Sequence, residues 1–362
     1  MSFMVVAAIK KKPVRVLMAA LIASGLCGPD ALAEWTPRRT LAGKEQFLQL
    51  FPVSDQTVWA LTWQGGGISP SYRVHVSLDA GSTWTRRQVR GLPPDFMAYD
   101  DRIDAFVALD GATALLSGTV VDGVGAGVAH VYRTGDAGRT WREVFAHPCG
   151  VCRFQIGMAD GRRGLMAFNF GGTDAKHPAG QRLYATHDGG LTWTQAGIAD
   201  PVRQGSVGAL FVKGRQAWLQ GDGQLYYSAD LGVHWSAEPI PAEAVEDNGF
   251  GRLRMANRDY GIASSGNLLD LSLKRPDPGA WRHLDTGVPN GAVGTLALDG
   301  KECWFSMPLD SVRNFYSDDH CASFQPLVVD PQSAFFTLGK AWRGRSLWGT
   351  TRRVLYMDRR SP

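Results

Sequence analysis

An excess of charge of one sign is missing from most of this chain. Of a formal net charge of +4, the first 33 residues hold four basic side chains (Lys10, Lys11, Lys12, Arg15) and one acid (Asp30), so only +1 belongs to the remainder. That balance excludes the basic surface on which nucleic-acid binding depends. Long apolar runs are missing too. No segment beyond residue 33 approaches the roughly 20 apolar residues that a bilayer-spanning helix needs. The eight histidines are scattered without metal-ligand spacing. No strand-to-helix G-x-G-x-x-G unit, P-loop or G-x-S-x-G elbow occurs, so no cofactor or metal is expected.

The N-terminus reads as an export signal. A basic cluster precedes the apolar run 16–26, and Ala31-Leu32-Ala33 supplies a small-x-small cleavage pattern. Residues 1–33 are therefore assigned as a signal peptide and residues 34–362 as one domain in the periplasm or outside the cell. The alternative is a retained anchor, for which the run is short. Lipidation at Cys27 is disfavoured because Leu26 stands where a small residue is needed.

Cysteine is scarce: five in all, of which Cys149, Cys152, Cys303 and Cys321 follow the signal. An even count in an exported chain points to disulfides. The run His147-Pro148-Cys149-Gly150-Val151-Cys152 also admits a metal or redox reading. It lacks the following His of a haem site and a second C-x-x-C for zinc.

What is abundant is a repeat. Ser77-Leu-Asp79-Ala-Gly81-Ser-Thr83-Trp84 recurs as Thr134-Gly-Asp136-Ala-Gly138-Arg-Thr140-Trp141, Thr186-His-Asp188-Gly-Gly190-Leu-Thr192-Trp193 and Ser228-Ala-Asp230-Leu-Gly232-Val-His234-Trp235. A worn copy runs from Ser317 through Asp319 and Cys321 to Phe324, and a more degraded one keeps Asp277, Gly279 and Trp281. The aspartates step by 57, 52, 42, 47 and 42 residues, read from positions 79, 136, 188, 230, 277 and 319. Units of that length with several short strands each indicate propeller blades. In such a turn Asp accepts hydrogen bonds from nearby amides, and Gly takes backbone angles that other residues resist. Trp then buries a large face at the head of the next strand. Asp79, Asp136, Asp188, Asp230 and Asp319 are thus structural turn residues, not catalytic carboxylates.

Upstream of each repeat lie an alternating run (72–76, 130–133, 182–185, 224–227) and a largely apolar run (58–63, 114–118, 164–168, 217–221). With an inner run such as 103–109 or 207–212, these predict four antiparallel strands per blade, the repeat joining the last two. Six units fit between Phe47 and Leu327; a seventh begins at Phe335 and lacks its last strand. Trp35-Thr36-Pro37-Arg38-Arg39 mimics Trp84-Thr85-Arg86-Arg87, the start of a last strand. The expectation is an all-β, seven-bladed propeller whose last blade is completed by the mature N-terminal strand, leaving no exposed sheet edge at the closure.

The repeats resemble the BNR, or Asp-box, repeats of sialidases and related propellers over essentially the whole mature chain. The stretch 217–228 leading into the fourth repeat is similar to blades of the photosystem II stability/assembly factor-like family. That resemblance implies an exported, non-catalytic scaffold that binds a protein or peptide partner; the expected state is a monomer. It does not imply photosynthesis. The competing function is a sialidase-type glycoside hydrolase, which needs an arginine triad, an acid/base carboxylate and a tyrosine–glutamate pair. The Phe-Arg-Ile-Pro signature of sialidases is absent, and no tyrosine–glutamate pair can be assigned.

Function on such a frame is expected at the blade end opposite the repeats, where long loops (64–71, 120–128, 171–181) gather. Arg102, Arg153, Arg203 and Arg252 each precede an inner strand, and radial repetition would bring them to the channel mouth as a site for a carboxylate, phosphate or acidic peptide. The alternative is that each pairs with a local acid, as Arg102 can with Asp100 or Asp101. For the cysteines, Cys303 at the start of a strand and Cys321 in the last turn of the same blade are expected to pair. Cys149–Cys152 is a second, more strained candidate.

Overall fold

The recurring Ser/Thr-x-Asp segment folds as the same turn wherever it is seen in the structure, a computed structural model. The structure describes residues 35–64, 71–90, 105–121, 127–149, 152–170, 180–197, 207–221, 224–238, 250–265, 271–274, 281–283, 295–299, 301–307, 313–327, 337–340 and 345–358. Residues 1–32 form one unit and residues 33–362 another, and every described residue belongs to the second.

In chain order the strands are β1 (Trp35–Thr40), β2 (Glu45–Pro52), β3 (Val58–Gln64), β4 (Ser71–Ser77) and β5 (Thr85–Gln88). Next come β6 (Ala105–Ala108), β7 (Ala114–Val121), β8 (Gly127–Thr134) and β9 (Arg142–Cys149). They are followed by β10 (Cys152–Met158), β11 (Gly164–Phe170), β12 (Gly180–Thr186) and β13 (Thr194–Gln195). The fourth group is β14 (Val207–Lys213), β15 (Gln216–Gly221), β16 (Gln224–Ser228) and β17 (Ser236–Glu238). The fifth is β18 (Phe250–Asn257), β19 (Tyr260–Ser265), β20 (Leu271–Lys274) and β21 (Trp281–His283). The sixth is β22 (Thr295–Asp299), β23 (Glu302–Met307), β24 (Arg313–Ser317) and β25 (Gln325–Leu327). Last come β26 (Thr337–Lys340), β27 (Leu347–Thr350) and β28 (Val354–Asp358).

Six four-stranded sheets are contiguous in sequence, from β2–β5 to β22–β25. A further four-stranded sheet is composite, ordered β26-β27-β28-β1, with the two ends of the described chain side by side. All pairings are antiparallel. β1 meets β28 from Trp35↔Asp358 to Thr40↔Val354, with one irregularity between Pro37 and Arg39. The inner strands neighbour one another in sequence order, β2 beside β6, β10, β14, β18, β22 and β26 in turn, and β26 lies beside β2. This is a propeller.

Each sheet is buried on both faces, which is why its second strand is nearly all apolar. In β3, Trp59 and Leu61 pack with Val74 and Val76 against Phe106, Leu116 and Tyr132 of the next sheet. On its other face Val58 and Ala60 pack with Phe47 against Trp348, Leu355 and Met357 of the composite sheet.

In the sheets where it is described, the repeated turn ties the sheet to its predecessor. Its fourth and fifth residues both take left-handed backbone angles, as at Ala137 (φ 58°) and Gly138 (φ 80°). A Cβ on Gly138 would stand 2.4 Å from Val74 of the preceding sheet, so the fifth position must be bare there. The fourth residue's amide donates to the carbonyl of the first hairpin in its own sheet, as Ala80 N to Gln56 O at 2.9 Å and Leu231 N to Arg215 O at 2.7 Å. The tryptophans then fill the seams: Trp84 against the composite sheet, Trp141 against β2–β5, Trp193 against β6–β9 and Trp235 against β10–β13. Only Trp141 is buried outright; Trp84, Trp193 and Trp235 are half-buried, because their outer edges reach the surface of the turn.

In the worn copy, Cys321 occupies the glycine position with φ 60° and joins Cys303 in a disulfide, Cα–Cα 5.5 Å. Both are fully buried, beside Tyr260 of the preceding sheet. Cys149 ends β9 and Cys152 begins β10, but their thiols lie outside what the structure describes.

Two stability outcomes follow from this packing. Trp141→Ala should lower the unfolding free energy by about 3–5 kcal/mol, and Trp193→Ala by less, in a denaturant titration. Deleting residues 34–43 removes β1 and the buried side chains of Trp35 and Leu41. A loss of several kcal/mol is expected, visible as a lower thermal midpoint.

Candidate functional site

The repeated turns hold their carboxylates in closed hydrogen-bond sets. Asp79 Oδ1 accepts from Ser77 Oγ and Thr83 N, both at 2.8 Å, and Oδ2 accepts from Thr83 Oγ1 at 2.6 Å. Asp136 with Thr134 and Thr140, Asp188 with Thr186 and Thr192, and Asp319 with Ser317 and Ser323 repeat the set. At Asp230 the ring of His234 replaces the threonine hydroxyl, Nδ1 to Oδ2 at 2.6 Å. Thr83 and Ser77 hold the Asp79 carboxyl at about 2. At Asp136 and Asp188 burial pulls upward, but the same bonds prevail and give about 2. Bonds from His234 and Ser228 lower Asp230, and bonds from Ser323 and Ser317 lower Asp319. Carboxylates so engaged are poor proton donors or bases at neutral pH.

The arginines expected at the channel mouth fall mostly beyond view. Arg102 and Arg203 lie outside the described residues. The backbones of Arg153 and Arg252 stand near the starts of β10 and β18, opposite Asn169 and Ser264, and their side chains lie outside the described set.

A different cationic cluster is in view, at the same end of the blades, where the composite sheet meets β2–β5. Thr62 opposes Arg73 and His75 opposes Arg86, so these four side chains share one face of the sheet. That face looks toward the composite sheet, as the packing of Ala60 and Phe47 shows. Glu45, at the start of β2, is the acid among them. Its Oε1 accepts from Thr62 Oγ1 at 2.6 Å and from His75 Nε2 at 2.8 Å, and its Oε2 accepts from Arg86 Nη2 at 2.9 Å. Burial would raise this carboxyl, but Thr62, Arg86 and His75 outweigh it and hold it at about 2. Burial lowers His75 below its ordinary value against the pull of Glu45, and the positive charges of Arg39 and Arg86 lower it further. His75 is therefore the neutral partner, with its proton on Nε2 and directed at Glu45.

Arg39 reaches this seam from β1. Its Nε and the Nη1 of Arg73 are buried without a hydrogen-bond acceptor among the described residues. Lys44, Arg352 and Arg353 are exposed at the same end. Arg353 Nη2 donates to Leu41 O at 3.1 Å, and the carbonyls of Arg352 and Arg353 accept from Phe47 N and Leu41 N. The seam thus sets Arg39, Arg73 and Arg86 on the face that carries Glu45, the one acid there among the described residues, with Lys44, Arg352 and Arg353 exposed at the same end of the blades. The cationic excess and the unsatisfied guanidinium donors suit an anionic group. A second buried charge cluster joins the fourth and fifth sheets, where Glu238 accepts from Lys274 and from Arg258 at 2.7 Å. Arg258 also lies over the Tyr227 ring, 4.8 Å from its centroid. Its one acid is closely met by two cations, which makes it a structural tie.

Sequence reasoning missed the seam although its signal was present. Arg38-Arg39 and Arg86-Arg87 occupy matching positions in two last strands. What could not be read was which side chains of those strands share the face between the two sheets, since that depends on strand register. Among the described residues no group of His, Cys, Asp and Glu could hold a metal ion, and no helix is long and apolar enough to cross a membrane. The Cys303–Cys321 disulfide is compatible with an oxidising compartment.

No protein-family model and no curated protein matches this sequence. Solved structures do match in fold. YCF48 bound to a D1 peptide superposes with a TM-score of 0.61 at 14% identity, covering 91% of this chain and 99% of that one. YCF48 from Cyanidioschyzon merolae gives 0.57 at 13% identity, with 90% and 98% covered. A chain of the Mitotic Checkpoint Complex gives 0.54 at 12% identity, with 100% and 98% covered. At such identities the likeness concerns the propeller fold alone.

The seam has a testable acid response. Glu45 titrates below its ordinary 4.5, so its contribution is complete above that value and is lost as pH falls toward 2. His75 titrates below its ordinary 6.5, so the unfolded chain takes up that proton first and stability begins to fall below pH 6.5. Urea midpoints from pH 7 to 3 should therefore decline for the wild type. The decline below pH 4.5 should be shallower in Glu45→Gln, which itself costs about 1–3 kcal/mol at pH 7.

Proposed function

We propose that this chain is an exported, seven-bladed scaffold, closed by its N-terminal strand, which binds an acidic segment of a protein partner and catalyses no reaction. The single observation that carries this reading is the seam at β1, β4 and β5. There the buried donors Arg39 Nε and Arg73 Nη1 stand beside a carboxylate already engaged by Thr62, His75 and Arg86. An incoming carboxylate or phosphate that reached this seam would supply an acceptor to donors that have none among the described residues, in a setting where burial strengthens each bond. That YCF48, a propeller of similar fold, is known with a bound peptide supports a peptide as the ligand class. Arg102, Arg153, Arg203 and Arg252 extend this proposal to the channel mouth at the same end. The disulfide and the leader pattern support an oxidising, extracytoplasmic setting for a monomer.

Hydrolase chemistry is disfavoured by the state of the acids. Each repeated-turn aspartate is engaged by its own turn, at the opposite end of the blades from the seam. Glu45 is held ionised by three donors, which suits an anchor and not a general acid.

Binding is tested with a fluorescent peptide carrying several Glu residues and a neutral Gln counterpart. The acidic peptide should bind the wild type more tightly and weaken steeply between low and physiological salt, because exposed charges are screened beyond about 8–10 Å. The double variant Arg39→Ala/Arg73→Ala should lose about tenfold or more in affinity, a difference of ~1.4 kcal/mol. Equal binding of both peptides, or an unaffected double variant, sinks the assignment. Turnover of a fluorogenic sialoside by the wild type would replace it with a hydrolase.

A further inference from the structure

Strand β4 buries a group that titrates near neutrality at a position where the other sheets have none. Its residues Arg73, His75 and Ser77 face the composite sheet, and Tyr72, Val74 and Val76 face the next one. His75 lies opposite Ala60 and is 0% exposed. At the same register the other sheets carry Tyr132, Tyr184, Tyr226, Ser272, Phe315 and Tyr356. Packing at this point is therefore met by an aromatic ring or a small hydroxyl, and the fold by itself does not require histidine.

The two ring nitrogens differ in what they meet. Glu45 is an ionised acceptor held by Thr62 and Arg86, so Nε2, 2.8 Å from it, carries the proton. Nδ1 is buried and has no hydrogen-bond partner among the described residues. A second proton could go only to Nδ1. The charged groups that face the ring are Glu45 from β2, Arg73 two residues along β4, Arg86 directly opposite on β5 and Arg39 from β1. From β3 and β28 come the apolar side chains of Val58, Ala60, Leu355 and Met357. An imidazolium in the empty seam would be a fourth cation beside one acid, with an N–H that has no acceptor. Burial, and with it the charges of Arg39 and Arg86, keeps the ring neutral.

An anion in this seam reverses that balance. Arg39 and Arg73 are half-buried, and each has one buried nitrogen without an acceptor among the described residues. A carboxylate or phosphate taken up by these guanidiniums offsets their charge and brings acceptor oxygens to a ring nitrogen that has no partner. Neither other class of group in the seam can answer by changing its own charge near neutrality. Glu45 is held at about 2, and guanidinium does not lose its proton in water. His75 can.

We propose that His75 is the proton-linked group of this anion site: when Arg39 and Arg73 hold an anion, His75 takes up a proton from solvent on Nδ1, and the seam binds acidic segments more tightly as its surroundings acidify. The linkage rests on the anion-binding reading given above and adds to it a means of regulation. It is reciprocal. An anion that makes the ring easier to protonate is itself held more tightly by the protonated form. His75 begins below its ordinary 6.5 in the empty seam, and a bound anion raises it. Affinity therefore climbs as pH falls through the value of the occupied seam and levels off below that of the empty one. The proton returns to solvent when the anion leaves.

The probe is a fluorescent peptide with several cysteic acid residues in place of Glu, whose sulfonates stay ionised throughout and contribute no titration of their own. At constant salt, its dissociation constant for the wild type should fall about threefold or more from pH 7.5 to pH 5.5. Calorimetry at pH 6.5 in two buffers of different ionisation enthalpy should show a fraction of a proton taken up for each peptide bound. His75→Gln keeps an N–H for Glu45 and cannot titrate, so its affinity should change with pH by much less. Should that variant fail to fold, the ring-nitrogen signals of 15N-labelled His75 in the wild type provide the second measurement, and their titration midpoint should be higher in the peptide-saturated protein than in the free one. Binding without proton uptake, an equal pH slope in His75→Gln, or an unmoved His75 midpoint overturns the linkage and leaves the anion site standing. Failure of the peptide to bind at either pH overturns the anion site itself, and the linkage with it.

Discussion

Where the repeated turn keeps its glycine, the blade is held to its neighbour by eight residues in which one carboxylate organises the backbone and one bare backbone position touches the sheet before it. Asp79 and its equivalents gather an amide and two hydroxyls, or a histidine ring at Asp230, into one set of bonds. The left-handed pair that results turns the glycine's bare α-carbon onto the preceding sheet, with Val74 beneath Gly138 and Leu115 beneath Gly190. The Trp that follows covers the same seam from outside. The polar bonds fix geometry, and the apolar contact they permit supplies most of the stabilisation. Where the fifth position is Cys321, a covalent bond to Cys303 holds the turn to its own sheet.

Among the described residues, two seams depart from this apolar rule by burying a paired acid and bases. Ionised groups taken out of water are stable only when their bonds are complete, and the two clusters differ in that respect. Glu238 is matched by Lys274 and Arg258. Glu45 is likewise satisfied, but the cations around it outnumber it and two of their donors have no acceptor among the described residues. An excess of one sign in a half-buried cleft raises the local concentration of the other sign. The difference between a structural tie and a binding site is in this case one of charge count, at similar burial.

Much of the architecture was legible because the repeat is local. Asp, Gly and Trp at fixed offsets specify a turn whatever lies far away, and the alternation of residues 72–76 or 224–227 specifies strands beside it. β3, β4, β15 and β16 fall within a residue or so of those runs. The Cys303–Cys321 pairing was legible for the same reason, since both positions belong to one blade whose turn could be located. The seam was not legible. Arg39, Arg73 and Arg86 are spread over three strands of two neighbouring sheets, and charge alone does not reveal which side chains share a face.

The sequence by itself determined the unit: four strands, a carboxylate-centred turn, a Trp at the next strand and a spacing that repeats the whole. It determined these because they depend on hydrogen bonds and backbone angles within a few residues. Only the tertiary structure decided what the units do to one another. It set Arg39 beside His75 and gave the buried Glu45 its three donors, Thr62, His75 and Arg86. Those relations depend on burial and on through-space charge, which exist only once the ring of sheets has been assembled.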